Sequence, residues 1–265
     1  MSITIITINY NNSTGLRRTV ESVAGQTASD IEYIVIDGGS DDDSREVIRA
    51  YADHIHYWTS EKDRGIYHAM NKGVAQAHGD YCFFLNSGDV FYDSTALDRV
   101  SRSGLDKDIV IGKVVIDGSE ELMSPPPSRE ISLYHLYSGA IPHQGSFIRT
   151  NLLRQHPYDE NLRIASDWKF FVQTIVIENC SLKYIEEFVA RYDTNGISSA
   201  NPKLMRKEKE RVLAELFPPR LLADYQYMKS SECLTQQLTP ELRQNYGIDK
   251  IMYRIGLLLL KLRRK

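Results

Sequence analysis

Asp37, Asp63 and Asp89 stand in short polar turns within the segments IEYIVIDGGSDD, SEKDRGIYHAMNKG and YCFFLNSGD. The last is the most informative. An apolar run with strand character ends abruptly in Asn86, Ser87, Gly88 and Asp89. A strand that stops in a small, flexible turn carrying one acidic group is how an open α/β sheet presents a carboxylate to a ligand beyond its strand ends. Asp37 ends a second apolar run, and Asp63 precedes a helical pattern. Three acidic turns so close in sequence can meet at one crevice. A hard divalent cation held there by a carboxylate and phosphate oxygens is the chemistry such a crevice suits.

The elements that must position these turns alternate along the first hundred residues. Strand patterns at Ser2–Ile8, Glu32–Ile36, His54–Thr59 and Tyr81–Leu85 alternate with helical spacing at Gly15–Ala24, Ser44–Tyr51 and Gly65–Ala77. That order predicts a parallel sheet flanked by helices. Asp108–Ile116 reads as a further strand entering a turn at Asp117-Gly118. Ser124-Pro125-Pro126-Pro127-Ser128 can form neither helix nor central strand and reads as a loop beside the site. Gly145–Arg149 and Leu182–Tyr192 read as strands and Ser166–Ile177 as a helix with Phe170, Phe171, Thr174 and Ile175 inward. After Asn195-Gly196 the character becomes charged helix, Pro202–Phe217, which places a boundary near residue 200.

The chain has 265 residues, 42% hydrophobic and 25% charged, enough for one large domain or a domain with an appendage. Its net charge of −3 conceals an asymmetry. Residues 201–265 hold 14 Lys/Arg against 7 Asp/Glu, and residues 1–200 hold 18 against 28. An acidic body suits a bound cation, and a basic tail suits an anionic surface, unless it is simply a solvated helical extension. Cys82, Cys180 and Cys233 lack metal-ligand or paired spacing and read as reduced thiols. The N-terminal MSITIITINYNN has no basic segment or cleavage site and runs straight into a strand, so a cytoplasmic location is expected. No apolar run reaches the length of a spanning helix.

The common cofactor loops are missing. The turn after the first strand, Asn9-Tyr10-Asn11-Asn12, holds no glycine-rich phosphate cradle, and neither G-x-G-x-x-G nor G-x-x-x-x-G-K-[ST] occurs anywhere. The G-x-S-x-G elbow of serine hydrolases is absent too. What remains is a nucleotide-binding sheet in which a metal ion must neutralise the pyrophosphate.

Taken in order, TIITINYNN at 4–12, VIDGGSDDDS at 35–44, DRGIYHAMNKG at 63–73, GDYCFFLNSGD at 79–89 and ASDWKF at 165–170 resemble the family 2 inverting glycosyltransferases. The resemblance covers roughly residues 1–200 and is especially similar to the bacterial polysaccharide-assembly branch with LNSGD in place of a two-aspartate motif. It implies the GT-A fold: α/β, a mostly parallel central sheet flanked by helices. A nucleotide-sugar half at 1–116 and an acceptor half at 117–200 would precede a basic helical extension at 201–265.

The resemblance also implies roles. Thr7, Asn9 and Tyr10 would line the nucleoside pocket, with Ser87 in the turn beside it, and Asp37 would accept from the base, unless it only caps the Gly38-Gly39 turn. Asp63 and Arg64 would flank base or ribose; Asn71 and Lys72 would lie near the phosphates, with Lys72 equally readable as a solvated helix residue. Asp89 would bind Mg²⁺ or Mn²⁺. Asp167 would be the base that deprotonates the acceptor hydroxyl, against a plainer reading as a first-turn helix carboxylate. His143 would touch metal, phosphate or acceptor, or be satisfied inside the fold, and Trp168 would stack on an acceptor sugar or fill the core.

The reaction so implied is transfer of a sugar from a nucleoside diphosphate, most often UDP in this family, to a glycan acceptor carried on a polyprenyl diphosphate. Residues 250–265 carry six basic and no acidic side chains after Asp249, with apolar residues at helical spacing. That pattern suits an interfacial helix on the inner face of the cell membrane, or one packed on the body or on a second subunit. No nucleic-acid partner is expected. Two other readings stay open: a sugar-1-phosphate nucleotidyltransferase, which needs a glycine-rich basic loop that this chain lacks, and a noncatalytic subunit that binds nucleotide sugars or glycans.

Overall fold

The computed structural model describes residues 2–123, 131–196 and 201–230. The expected loop at Ser124–Ser128, Cys233 and the basic segment 250–265 lie outside the described residues. The chain divides into two compact units, Met1–Val212 and Leu213–Lys265. In the second, residues 213–216 and 219–230 are helical.

The first unit is built on one eight-stranded sheet. Its strands are β1 (Ile3–Asn9), β2 (Ile31–Asp37), β3 (Tyr57–Ser60), β4 (Tyr81–Phe84), β5 (Val90–Phe91), β6 (Ile109–Ile116), β7 (Ser146–Arg149) and β8 (Leu182–Tyr192), in the spatial order β3-β2-β1-β4-β7-β6-β8-β5. The first four pair parallel, as the alternation of strand and helix predicts. β7 then runs antiparallel to both β4 and β6, β8 returns parallel to β6, and β5 closes the edge antiparallel to β8.

The sequence of β1, ITIITIN, has no polar alternation because every residue is buried. Helices cover both faces of a parallel strand, so it reads as a continuous apolar run. On one face Ile3 and Ile5 join Leu16, Val20 and Val23 of α1 (Ser13–Ala24), Val47 and Ile48 of α2 (Ser44–Ala50), and Leu97 and Val100 of α4 (Ala96–Ser103). On the other lies α3 (Ile66–Gln76), which approaches so closely that a Cβ on Gly73 would sit 2.4 Å from Ile6 Cγ2. Later in the chain come α5 (Leu133–Ser138), α6 (Thr150–Gln155), α7 (Ser166–Phe171) and α8 (Pro202–Leu216).

Several boundaries differ from the sequence reading. The third strand starts at Tyr57, because Ala52–His54 forms a 3₁₀ turn. The helix expected over Ser166–Ile177 changes after Phe171 into a π-helical turn, Val172–Ile177, where the Thr174 hydroxyl donates to the Phe170 carbonyl at 2.8 Å. Hydroxyl back-bonding of this kind loosens the regular ladder. β5, α4, α5 and α6 are additions to the expected elements. Cys82 and Cys180 are free thiols, and burial pushes both up to about 11. Among the described residues no helix is long and apolar enough to cross a membrane.

Candidate active site

The chain leaves β1 towards β2 and β3, then returns to β4 on β1's other side, so a crevice opens between the loops after β1 and β4. Two bonds stitch those loops together. Asn12 Nδ2 donates to the Ser87 carbonyl at 3.3 Å, and Ser87 Oγ donates to the Asn12 carbonyl at 3.2 Å.

The residues expected to hold a nucleoside divide into those that face this crevice and those committed elsewhere. Tyr10 is 68% exposed, and its ring edge stands 3.2 Å from where a Cβ on Gly38 would lie. Asp63 Oδ2 borders the same spot at 3.4 Å. Its other oxygen accepts from Lys72 Nζ and meets His68 Nδ1, each at 2.9 Å. Asn9 Nδ2 donates to Asp37 Oδ1 at 2.8 Å and Ser44 Oγ at 2.9 Å. Buried oxygens with no partner occur at Asn9 Oδ1, at the end of β1, and at Asp63 Oδ2 and Asn86 Oδ1, in the loops following β3 and β4. Native folds leave few buried polar atoms unpaired, and three acceptors at neighbouring strand ends are what a ligand rich in N–H and O–H groups would satisfy.

Three expectations are corrected. Thr7 is fully buried below the crevice, where its hydroxyl donates to the Leu85 carbonyl at 2.7 Å and meets the Tyr33 hydroxyl at 3.0 Å. Asp37 is fully buried as well. Its carboxylate accepts from Asn9, from the hydroxyls of Ser40 and Ser60, and from the Ser40 backbone, which holds the turn and leaves no oxygen facing outward. Those bonds outweigh the upward push of burial and keep its carboxyl below the usual range. Asn71 clips Tyr158 rather than facing phosphates: Nδ2 donates to the Tyr158 carbonyl and Oδ1 accepts its N–H, both at 2.9 Å. Lys72 pairs with Glu61 at 2.8 Å and with Asp63, and Arg64 pairs with Glu160 at 2.5 Å.

Asp89 is 4% exposed. Burial pushes its carboxyl up to about 7, against the opposing pull of the Asp193 backbone N–H and of His143; the charges of Asp193 and Asp117 push the same way as burial. The N–H of Asp193 donates to Asp89 Oδ1 at 2.8 Å. Gly88 makes the approach possible, since its φ is +108° and a Cβ there would lie 2.7 Å from Asp193 Oδ2. Thr19 Oγ1, on α1, donates to the Asp89 carbonyl at 2.7 Å and fixes the turn from below.

His143 joins the two halves of the site. Its Nε2 meets Asn86 Nδ2 at 3.2 Å, and its Nδ1 lies 3.0 Å from Asp167 Oδ2. The other carboxylate oxygen of Asp167 accepts from the Tyr67 hydroxyl at 2.8 Å. Burial pushes the Asp167 carboxyl up. The hydrogen bond and charge of His143, with help from Tyr67 and the Trp168 backbone, outweigh it and hold the group below the usual carboxylate range. Asp167 is therefore ionised at neutral pH and can accept a proton. Trp168 takes the core reading: it is buried, and its Nε1 donates to the Leu136 carbonyl at 2.8 Å.

The sequence pattern of glycosyl transferase family 2 matches residues 4–159. The chain belongs to glycosyl transferase family 2. An uncharacterized glycosyltransferase of Mycobacterium tuberculosis is 34% identical over 207 residues, 75% of this chain and 77% of that protein. Among solved structures, residues 1–349 of Staphylococcus aureus TarS in complex with UDP-GlcNAc superpose with a TM-score of 0.64 at 18% identity, covering 81% of this chain and 66% of that one. The match spans 39% of the longer TarS chain. Glucosyl-3-phosphoglycerate synthase of M. tuberculosis, in complex with Mn²⁺, UDP and glucosyl-3-phosphoglycerate, gives a TM-score of 0.54 at 15% identity over 80% of this chain and 79% of that one. The two structures share the fold.

Placed in the family 2 scaffold, three residues join the site that the sequence reading does not assign. Asp193 follows the apolar end of β8 in the same strand-then-acid pattern as Asp37, so its signal is readable. Tyr67 sits on α3 inside the quoted DRGIYHAMNKG segment, and Asn86 inside LNSGD. Neither carries a local sign of its partner, because each bond crosses more than 50 residues of chain. Among the described residues no three His, Cys, Asp or Glu side chains converge at metal-ligand spacing. A buried carboxylate among further acidic charge nevertheless fits a hard cation that takes its remaining oxygens from diphosphate and water.

Proposed function

We propose that this family 2 glycosyltransferase moves a hexose from a nucleoside diphosphate, with UDP the preferred carrier, to a glycan acceptor with inversion at the anomeric carbon. The observation that supports the reading is the Asn86–His143–Asp167 bridge, which links a buried carboxylate able to accept a proton to the turn that bears Asp89. Inversion by single displacement requires the base on one side of the sugar and the leaving diphosphate on the other.

Tyr10 offers an open ring for the base to stack on, and Asp63 Oδ2 and Asn9 Oδ1 supply acceptors for imide or ribose protons. Ser87 keeps the β4 turn closed on the β1 loop. Asp89 would hold Mg²⁺ or Mn²⁺ against the diphosphate; the bound cation would neutralise the charge that the departing diphosphate gains. Asp167 takes the acceptor hydroxyl proton as the new C–O bond forms and the bond to the diphosphate oxygen breaks. Tyr67 and His143 hold its two oxygens in place. A polyprenyl-diphosphate-linked acceptor and a role in cell-surface polysaccharide assembly at the inner membrane face complete the reading, supported by the LNSGD pattern and the basic 250–265 segment.

A thermal-shift panel of UDP, GDP, dTDP and CMP, each with and without Mn²⁺, tests the donor side. A nucleotide that raises the melting temperature only with metal names the base, because binding to the native state stabilises it by mass action. No shift from any of them at millimolar concentration would sink the transferase reading in favour of a binding subunit.

A further inference from the structure

The loop that delivers Asp167 is held from outside itself. The peptides of Arg163, Ile164 and Ala165, just before α7, are buried or part-buried, so their N–H groups need acceptors. Glu208, on α8 and only 7% exposed, provides them. Its Oε1 accepts from the Arg163 N–H at 2.8 Å, and its Oε2 accepts from the N–H groups of Ile164 at 3.0 Å and Ala165 at 3.1 Å. One carboxylate thus spans three successive peptides that end two residues before Asp167.

The neighbouring side chain extends the grip. Lys209 Nζ donates to the Gly139 carbonyl at 2.9 Å and stands 4.8 Å from the centre of the Trp168 ring, beside the base. Ser166 Oγ accepts from the Asp159 N–H at 2.5 Å, which closes the segment on itself. The family match stops at residue 159, so both Glu208 and the peptides it holds lie beyond the matched pattern.

We propose that Glu208 is a positioning residue for the transfer step: its carboxylate fixes the 163–165 peptides and thereby aims Asp167 at the acceptor hydroxyl. This rests on the reading of Asp167 as the base. Small misplacement of a proton acceptor costs rate far more than it costs binding at a distant pocket. Donor binding, built from the loops after β1, β3 and β4, is left alone.

The test uses Glu208→Gln, which keeps the side chain's size but gives it one acceptor oxygen and loses the charge, with Asp167→Asn alongside. The expected result for Glu208→Gln is a fall in kcat of about tenfold or more, with UDP affinity in Mn²⁺ within about twofold of the parent. With donor and Mn²⁺ saturating, the acid limb of kcat should move to higher pH as the bonds from His143 and Tyr67 to Asp167 loosen, and Glu208→Asp should recover part of the rate. Parent kcat and an unmoved acid limb in folded Glu208→Gln, while Asp167→Asn is inactive, would overturn the proposal and leave the base reading standing. Transfer retained in Asp167→Asn would remove the base reading and this proposal with it. Parallel loss of kcat and UDP affinity would show a merely structural role. If neither Glu208 variant folds, amide exchange in the intact parent decides: slow exchange at 163–165 supports the clamp, and exchange as fast as in exposed loops overturns it.

Discussion

The backbone N–H of Asp193, at the end of β8, donates to Asp89 Oδ1 at 2.8 Å across 104 residues of chain. One bond therefore ties the end of β8 to the turn after β4 that carries Asp89. It also leaves Asp89 buried beside a second acid, and this makes the site sensitive to pH.

With its carboxyl pushed up to about 7 in the fold, against about 3.9 in an unfolded chain, Asp89 favours folding least when ionised. Below pH 4 both states are protonated and the group imposes no penalty. Between pH 4 and 7 the unfolded state ionises first and stability falls, by an amount of the order of 4 kcal/mol that persists above pH 7. Metal-free protein should therefore melt at lower temperature at pH 8 than at pH 5 from this group alone. Asp89→Asn should remove most of that difference and abolish the Mn²⁺-dependent shift produced by UDP. An unchanged pH dependence in Asp89→Asn would assign the effect to other groups.

Gly88 is the joint that lets Asp193 reach Asp89. At φ +108°, with Asp193 Oδ2 only 2.7 Å from where an alanine methyl would stand, Gly88→Ala meets both backbone strain and a side-chain collision. The expected cost is about 1–3 kcal/mol in unfolding free energy, together with weakened metal-dependent nucleotide binding as Asp193 is pushed away. Denaturant melts and nucleotide titrations read the two separately; a variant that binds as the parent does would show that Asp193 has no part in shaping the Asp89 turn.

His143 should govern the pH dependence of transfer. Its hydrogen bond and charge hold the Asp167 carboxyl below the usual range against burial, so with donor and Mn²⁺ saturating, where a bound cation would keep Asp89 ionised, kcat in the parent protein should stay flat from neutral pH down into the acid range and fall only where Asp167 is protonated. His143→Ala leaves burial unopposed on that side, and the acid limb should move to higher pH with a rate loss of about 10²-fold near neutrality. The same change removes stability that is present above the unfolded carboxylate range and lost as pH falls through the folded value. An acid limb that stays in place would mean that His143 does not face the ionised base.

The parallel half of the sheet was legible because burial on both faces turns parallel strands into continuous apolar runs. Ile3–Asn9, Ile31–Asp37 and Tyr81–Phe84 show that signature, and each is followed by a turn whose acid or amide is visible in the sequence. Thr7 misled, because a polar residue two positions from a strand end looks like a pocket residue, whereas the Tyr33 hydroxyl and Leu85 carbonyl bury it. Asp37 takes the turn-capping reading. Its acceptors are taken up by Ser40 and Ser60, whose hydroxyls give no local sign of where they point. Elsewhere in the sheet, β5 has two residues and β7 four, too short to show a period. The place of His143 depends on β7 pairing antiparallel to β4, a contact between distant segments that no local pattern encodes. Glu208 is one acid in a charged helix, distinguished only by the three peptides folded against it.

On the proposed function, Asp63 should decide which base the crevice prefers. Oδ1 is engaged by Lys72 and His68, and Oδ2 is buried without a partner beside Gly38 and Tyr10, so it presents an acceptor to a base that stacks on Tyr10. Uracil offers an imide N–H there, whereas cytosine offers a ring nitrogen that can only accept. Asp63→Asn keeps an oxygen for Lys72 and turns a donor towards the base, so UDP affinity should fall about 10–100-fold while CDP affinity holds or rises. Competition of the two nucleotides, with Mn²⁺ present, measures the ratio directly. Equal losses for both would place Asp63 against the ribose, whose hydroxyls are common to the two, and would leave base choice to the loop around Tyr10.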